Sequence, residues 1–216
     1  MTFPDSCGFY GFEPVARAAG YHAIAGVDEV GRGPLAGPVV AVAAIVHEAE
    51  QFAGLNDSKK VTEKRRDTLY ELLANSADVQ YGVGSITPAE IDRINILQAT
   101  HKAMRLAIAA LPTPADFVLV DGRPVPRLGC DSHNLIKGDG RCASIAAASI
   151  LAKVIRDRQM VAYDEEFPGY SFASHKGYGT AAHLAALRSL GACPIHRRSF
   201  APVRDVVEPT LLTLNS

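Results

Sequence analysis

From Ile24 to Val46 the sequence reads IAGVDEVGRGPLAGPVVAVAAIV, and this run limits the fold more than any other. Ile24, Ala25 and Val27 open a buried strand, and VVAVAAIV is an apolar run of strand length. Between them stand Asp28 and Glu29, the loop Gly31-Arg32-Gly33-Pro34, and a second Gly-Pro pair at Gly37-Pro38. A carboxylate among apolar strands costs several kcal/mol unless it is paired or bound to a metal. Either both acids sit in a solvated turn beyond the strand, or the chain uses them. Successive strand side chains point to opposite faces. Asp28 and Glu29 therefore reach one site only if the strand ends or bulges, or if one acid offers its backbone carbonyl. Asp28 is the expected inward ligand.

The rest of the chain alternates helices and strands. Residues 13–19 before Gly20 predict a short helix, and Thr62 caps a helix running to Leu73, with Leu69, Leu72 and Leu73 at helical spacing. Val79–Ile86 alternates as a strand. Thr87-Pro88-Ala89-Glu90 carries the features of a capping box, opening a helical stretch interrupted near Asn95 and ending around Leu111. Phe117–Val120 predicts a buried strand leading into Asp121-Gly122, and His133–Lys137 a fifth strand before Gly138-Asp139-Gly140. SIAAASILAKVI reads as a buried helix, residues 167–179 as loop, and Thr180–Leu190 as an amphipathic helix stopped by Gly191. The tail from 205 to 216 reads as mobile. This order argues for a mixed α/β layer fold in a single domain.

Composition narrows the setting. The 216 residues carry a net charge of −1, so overall charge announces no nucleic-acid partner. Local clusters do more: Lys59, Lys60, Lys64, Arg65 and Arg66; Lys153, Arg156 and Arg158; His196, Arg197 and Arg198. Each reads either as a solvated face or as part of one basic face. The four cysteines form no CxxC pair, and Cys130-x-x-His133 is too little for zinc. The opening residues lack the basic and apolar regions of a signal peptide, and the apolar run Val39–Val46 is too short for a bilayer. A reduced cytoplasm is the expected setting.

Asp28 and Asp121 each end a short apolar strand, and Asp139 lies in a glycine turn ahead of a helix. Strand ends that lie side by side in one sheet let such acids share a cation. Clustered carboxylates repel one another and resist ionisation without one, and an all-oxygen set suits Mg²⁺ or Mn²⁺ better than Zn²⁺. Two such ions about 4 Å apart serve phosphodiester cleavage. The chain has no G-x-S-x-G, HExxH or P-loop, and Gly31-x-Gly33 lacks the third glycine of a dinucleotide fingerprint.

Taken together, GVDEVGRGPLAGPV, LNDSKK, VLVDG, KGDG followed by SIAAASILAKVIRDR, and HKGYGT resemble ribonuclease HII, the type 2 ribonuclease H. The motifs keep that family's order over nearly the whole chain. The resemblance implies a ribonuclease H-like α/β fold, a mixed five-stranded sheet flanked by helices, with a C-terminal helical part, all within residues 1–204. It implies hydrolysis of the RNA strand of RNA–DNA hybrids, and cutting 5′ of single ribonucleotides embedded in duplex DNA to leave 3′-hydroxyl and 5′-phosphate ends. It also implies that Asp28, Glu29, Asp121 and Asp139 bind two Mg²⁺ or Mn²⁺ ions, that Gly31-Arg32-Gly33 meets the ribose 2′-hydroxyl, and that Tyr178 packs on the next sugar. Asp57, Ser58, Lys59 and Lys153 are expected phosphate contacts. The expected partners are the nucleic-acid duplexes alone, with the protein a monomer away from membranes.

Cys142 stands where the family pattern carries serine, and no role is assigned to it. The related ribonuclease HIII has an extra N-terminal domain and a Glu as fourth acid, unlike this sequence. The alternative from another class is a non-catalytic RNA–DNA hybrid-binding module whose carboxylates are structural. A turnover assay without metal separates the two.

Overall fold

The computed structural model describes residues 3–4, 7–56 and 58–208. They sort into two compact units: Met1–Val30, Val40–Ser85 and His101–Val154 form the first, and Gly31–Val39, Ile86–Thr100 and Ile155–Ser216 the second.

A five-stranded sheet organises the first unit. Its strands are β1 (Ile24–Val30), β2 (Val39–Val46), β3 (Val79–Ile86), β4 (Phe117–Asp121) and β5 (Asp131–Leu135), in the order β3-β2-β1-β4-β5. β1 runs antiparallel to β2 and parallel to β4, and β4 runs parallel to β5, so the sheet is mixed. Every residue of β2 is buried, as an unbroken apolar run requires of a central strand. β5 begins two residues earlier than the sequence predicts, with the polar residues Asp131 and Ser132 exposed. An edge strand has one neighbour and tolerates such residues, which hides its start from an apolar pattern.

Helices α1 (Phe12–Ala18), α2 (Glu63–Ala74), α3 (Pro88–Ile94), α4 (Ile96–Ala109), α5 (Ala143–Glu166), α6 (Phe172–His175), α7 (Ala181–Leu190) and α8 (Ala201–Val207) complete the chain. Threonine side chains cap α2, α3 and α7: Thr62, Thr87 and Thr180 accept from the N–H of Arg65, Glu90 and His183. Such caps stabilise a helix by about 1 kcal/mol each. Asn95, at φ 66°, separates α3 from α4, where the sequence shows only an interruption. Of the three leucines at helical spacing in α2, Leu72 is half exposed, while Leu69 and Leu73 are buried. α6 lies within the stretch read as loop, and α8 runs three residues into the expected tail; residues 209–216 fall outside the described chain.

Two close approaches fix helix against sheet in the first unit. A Cβ built on Gly26 of β1 would lie 2.3 Å from Ser144 C and Ile145 N of α5. One built on Gly84 of β3 would lie 2.0 Å from Ala103 O of α4. Ile145 to Ala148, with Ile150 to Ala152, are fully buried, so the first turns of α5 have no solvent face. Its N-terminus is closed by Glu13, whose carboxylate accepts from Ser144 N–H at 2.9 Å and lies 3.3 Å from Cys142 Sγ. The cysteine thus stands in a buried polar contact, with burial and the Glu13 charge holding its thiol well above the ordinary range.

Candidate active site

Sheet register gathers the acids. β1 and β4 pair in parallel through Val27 and Val120, so the next residues, Asp28 and Asp121, fall at the same level and on the same face. Their carboxylates and that of Glu29 come within 4.8 Å of one another. β1 neither ends nor bulges at Asp28, contrary to two of the routes left open by the sequence. Its ladder with β2 continues unbroken through Asp28–Val42, Glu29–Ala41 and Val30–Val40. The pairing with β4 stops at Val27, which opens that side of the strand end. Glu29 has one more methylene than Asp28 and brings its carboxylate to the group from the alternate position.

The group is electrostatically strained. Burial first, then the Glu29 and Asp121 charges, push the Asp28 carboxyl well above the usual carboxylate range. Hydrogen bonds from Ser149 and from the Glu29 N–H, the latter at 2.7 Å, oppose that rise. Burial also raises Asp121; N–H groups of Gly138 and Asp139 pull it back, as does the Lys59 charge, while Glu29 raises it further. The Gly138 N–H reaches Asp121 Oδ1 at 2.6 Å. Asp139 is buried on that same turn, outside the group of three carboxylates that share the 4.8 Å limit. Three oxygen-only donors gathered this closely fit a hard divalent cation, which would counter the rise at both Asp28 and Asp121.

Other expected residues of the first unit fall as follows. Ser58 is buried, with its hydroxyl 2.9 Å from Ser149 Oγ, so it stands in a polar chain behind Asp28. Lys59 is exposed and Lys153 half-buried; Asp57 lies outside the described residues. Ser149 escaped the sequence reading. Its only signal is a hydroxyl among the apolar residues of SIAAASILAKVI.

In the second unit the glycine loop meets Tyr178. Gly33 is exposed, and a Cβ on it would stand 3.6 Å from the Tyr178 ring, an ordinary contact; the tyrosine itself is 45% exposed. Gly31 has φ 88°, and a Cβ there would come within 2.2 Å of Arg156 Nε, so a side chain is excluded on both counts. A histidine pair supports the tyrosine backbone. Cys193 N–H donates to His196 Nδ1 at 3.0 Å, which puts the His196 proton on Nε2, facing His183 Nε2 at 3.1 Å. His183 then donates from Nδ1 to the Tyr178 carbonyl at 2.9 Å. Both rings must be neutral for this relay. Burial, followed by the His183 charge, lowers His196 to about 4, and burial lowers His183 as well.

The basic clusters are not wholly surface charges. Arg158, Arg198 and Lys60 are exposed, whereas Arg156 and Arg197 are fully buried and His196 nearly so. A count of cations along the sequence cannot tell a phosphate-facing arginine from one bonded to carbonyls.

The ribonuclease HII family model matches residues 25–203. The chain belongs to the ribonuclease HII family. Ribonuclease HII of Chlamydia caviae is 54% identical over 197 residues, spanning 91% of this chain and 92% of its own. That of Geobacter metallireducens is 51% identical over 198 residues, 92% of each. The crystal structure of ribonuclease H2 from Pyrococcus horikoshii superposes with a TM-score of 0.72 at 27% identity, over 87% of this chain and 98% of that one. The ribonuclease H-like fold implied by the motifs is therefore the observed one, and the chain is an endoribonuclease of the class that acts on the RNA of RNA–DNA hybrids.

Proposed function

We propose that the chain also cuts 5′ of a single ribonucleotide embedded in duplex DNA, leaving 3′-hydroxyl and 5′-phosphate ends, with Asp28, Glu29, Asp121 and Asp139 holding two Mg²⁺ or Mn²⁺ ions. The observation that carries this reading is the meeting of three carboxylates within 4.8 Å, with burial and the neighbouring acids opposing the charge of Asp28 and Asp121. Bound in pairs, such ions supply an activated water and stabilise the leaving oxygen. The protein's own part is to hold the acids at one level of the sheet, with Ser149 bracing Asp28 and the Gly138 turn bracing Asp121.

Substrate choice rests on the second unit. The 2′-hydroxyl is the group that separates RNA from DNA, and the exposed backbone at Arg32 and Gly33 offers it donors with no side chain in the way at Gly33. The half-exposed Tyr178 ring suits the apolar face of a deoxyribose, where an added hydroxyl would lose its water without gaining a partner. Lys59 and Lys153 contact phosphates without reading sequence. The test is a duplex carrying one ribonucleotide, incubated with and without Mg²⁺, and end analysis of the products. Metal-dependent cutting on the 5′ side is the expected result. Cutting that needs no metal, or none at all at that junction, overturns the reading.

A further inference from the structure

The loop between β1 and β2 is held by its main chain. Arg197 donates from Nε to Gly37 O at 2.9 Å, from Nη1 to Arg32 O at 3.0 Å, and from Nη2 to Gly31 O at 2.5 Å and Gly37 O at 2.8 Å. Arg156 donates from Nε to Pro38 O at 3.0 Å, from Nη2 to Ala36 O at 3.1 Å, and from Nη1 to Lys176 O at 3.0 Å. All seven bonds end on carbonyls, none on a carboxylate. Both side chains are fully buried, and each lies in a site where burial disfavours its charge.

Stability alone does not account for this arrangement. Removing a guanidinium from water costs several kcal/mol, and apolar residues of similar volume often serve a core as well or better. A planar fork of five donors does something an apolar side chain cannot, which is to fix several carbonyls in direction. Direction matters because a trans peptide points its C=O and its N–H opposite ways. Drawing Gly31 O and Arg32 O toward buried Arg197 turns the N–H groups of Arg32 and Gly33 the other way, and those two residues are exposed. Arg156 ties the far end of the loop to Lys176, two residues before Tyr178.

We infer that Arg197 and Arg156 are positioning residues for ribonucleotide discrimination, holding the loop so that the Arg32 and Gly33 N–H groups face the sugar. This rests on the proposed reading of Gly31–Gly33 as the 2′-hydroxyl contact. Neither arginine touches nucleic acid. Each acts by presetting the loop, so substrate binding does not have to order it.

The experiment compares kcat/KM for two duplexes differing at one position, an embedded ribonucleotide in one and a 2′-deoxy-2′-fluoro nucleotide in the other. Their ratio cancels the folded fraction of any preparation, so a variant that is merely less stable leaves it unchanged. Arg197→Lys keeps the charge but not the fork, and should lower the ratio about tenfold, the worth of one misdirected hydrogen bond. Arg156→Lys should lower it in the same direction, and serves alone if Arg197→Lys gives no soluble protein. A ratio equal to wild type in the variants, whatever their absolute rates, overturns the inference. A wild-type enzyme that does not distinguish the two duplexes would instead sink the reading of the loop itself.

Discussion

The acids and the glycine loop are separated in sequence by Val30 alone, yet they are assembled by opposite means. Asp28, Glu29 and Asp121 are brought together by strand register, with burial and neighbouring carboxylates opposing the charge of Asp28 and Asp121. The Gly31–Pro38 loop is shaped by two buried cations whose donors are matched to carbonyls. The first arrangement crowds like charges, and on the proposed reading a bound cation relieves them. The second is satisfied before any ligand arrives. On the proposed reading, metal affinity and preorganisation for the sugar are built from different kinds of bond, and they should fail in different ways.

The largest expected effect is at the acids. Asp121→Asn should lower turnover on the order of a hundredfold or more, since an amide is a poor ligand for a hard cation. Because it also removes a repelling charge, the metal-free variant should melt no lower than wild type, and its melting temperature should no longer rise with Mg²⁺. Near wild-type turnover would remove Asp121 from the metal site. Ser149→Ala probes the same region one step back. It takes away the hydroxyl that favours the charged form of Asp28, and metal affinity followed by calorimetry should fall about tenfold.

The loop side responds on substrate rather than metal. Tyr178→Ala should cut the rate on a duplex with one embedded ribonucleotide about tenfold, the equivalent of one unfavourable desolvation. An all-RNA hybrid should lose less, and metal affinity should be unchanged. Equal losses on both duplexes would deny the tyrosine a part in reading the junction.

The smallest effect is on stability against pH. His183 and His196 are held neutral in the fold, below their unfolded value near 6.5. The unfolded chain therefore takes up protons that the native chain refuses between about pH 6.5 and 4. Melting temperature should be flat above that window and fall as pH drops through it, and His196→Gln should flatten the fall. A wild-type curve with no drop there would mean the relay accepts protonation.

Most of the architecture was legible because its signals are local. Thr62, Thr87 and Thr180 cap helices from side chains within reach of their own first turns, and β2 and β4 announce burial through unbroken apolar runs. Asp121 at the end of β4 was legible for the same reason. What stayed hidden depends on partners far along the chain. Whether Glu29 joins Asp28 is decided by where the β4 ladder stops. Arg156 and Arg197 look like members of basic surface clusters until their acceptors in the loop before β2, more than 100 residues away, are known. Ser58 reads as a surface residue of LNDSKK until Ser149 is found beside it.

Gly26 ties the core to the chemistry in a manner that bears on how such a protein changes over generations. With α5 pressed against it, even one added methyl would have to push away the backbone at Ser144 and Ile145. The displaced helix carries Ser149, which braces Asp28. On the proposed reading, a substitution at this position would disturb the acid site together with the core. The site is thus shielded from drift by a residue that contributes no atom to it.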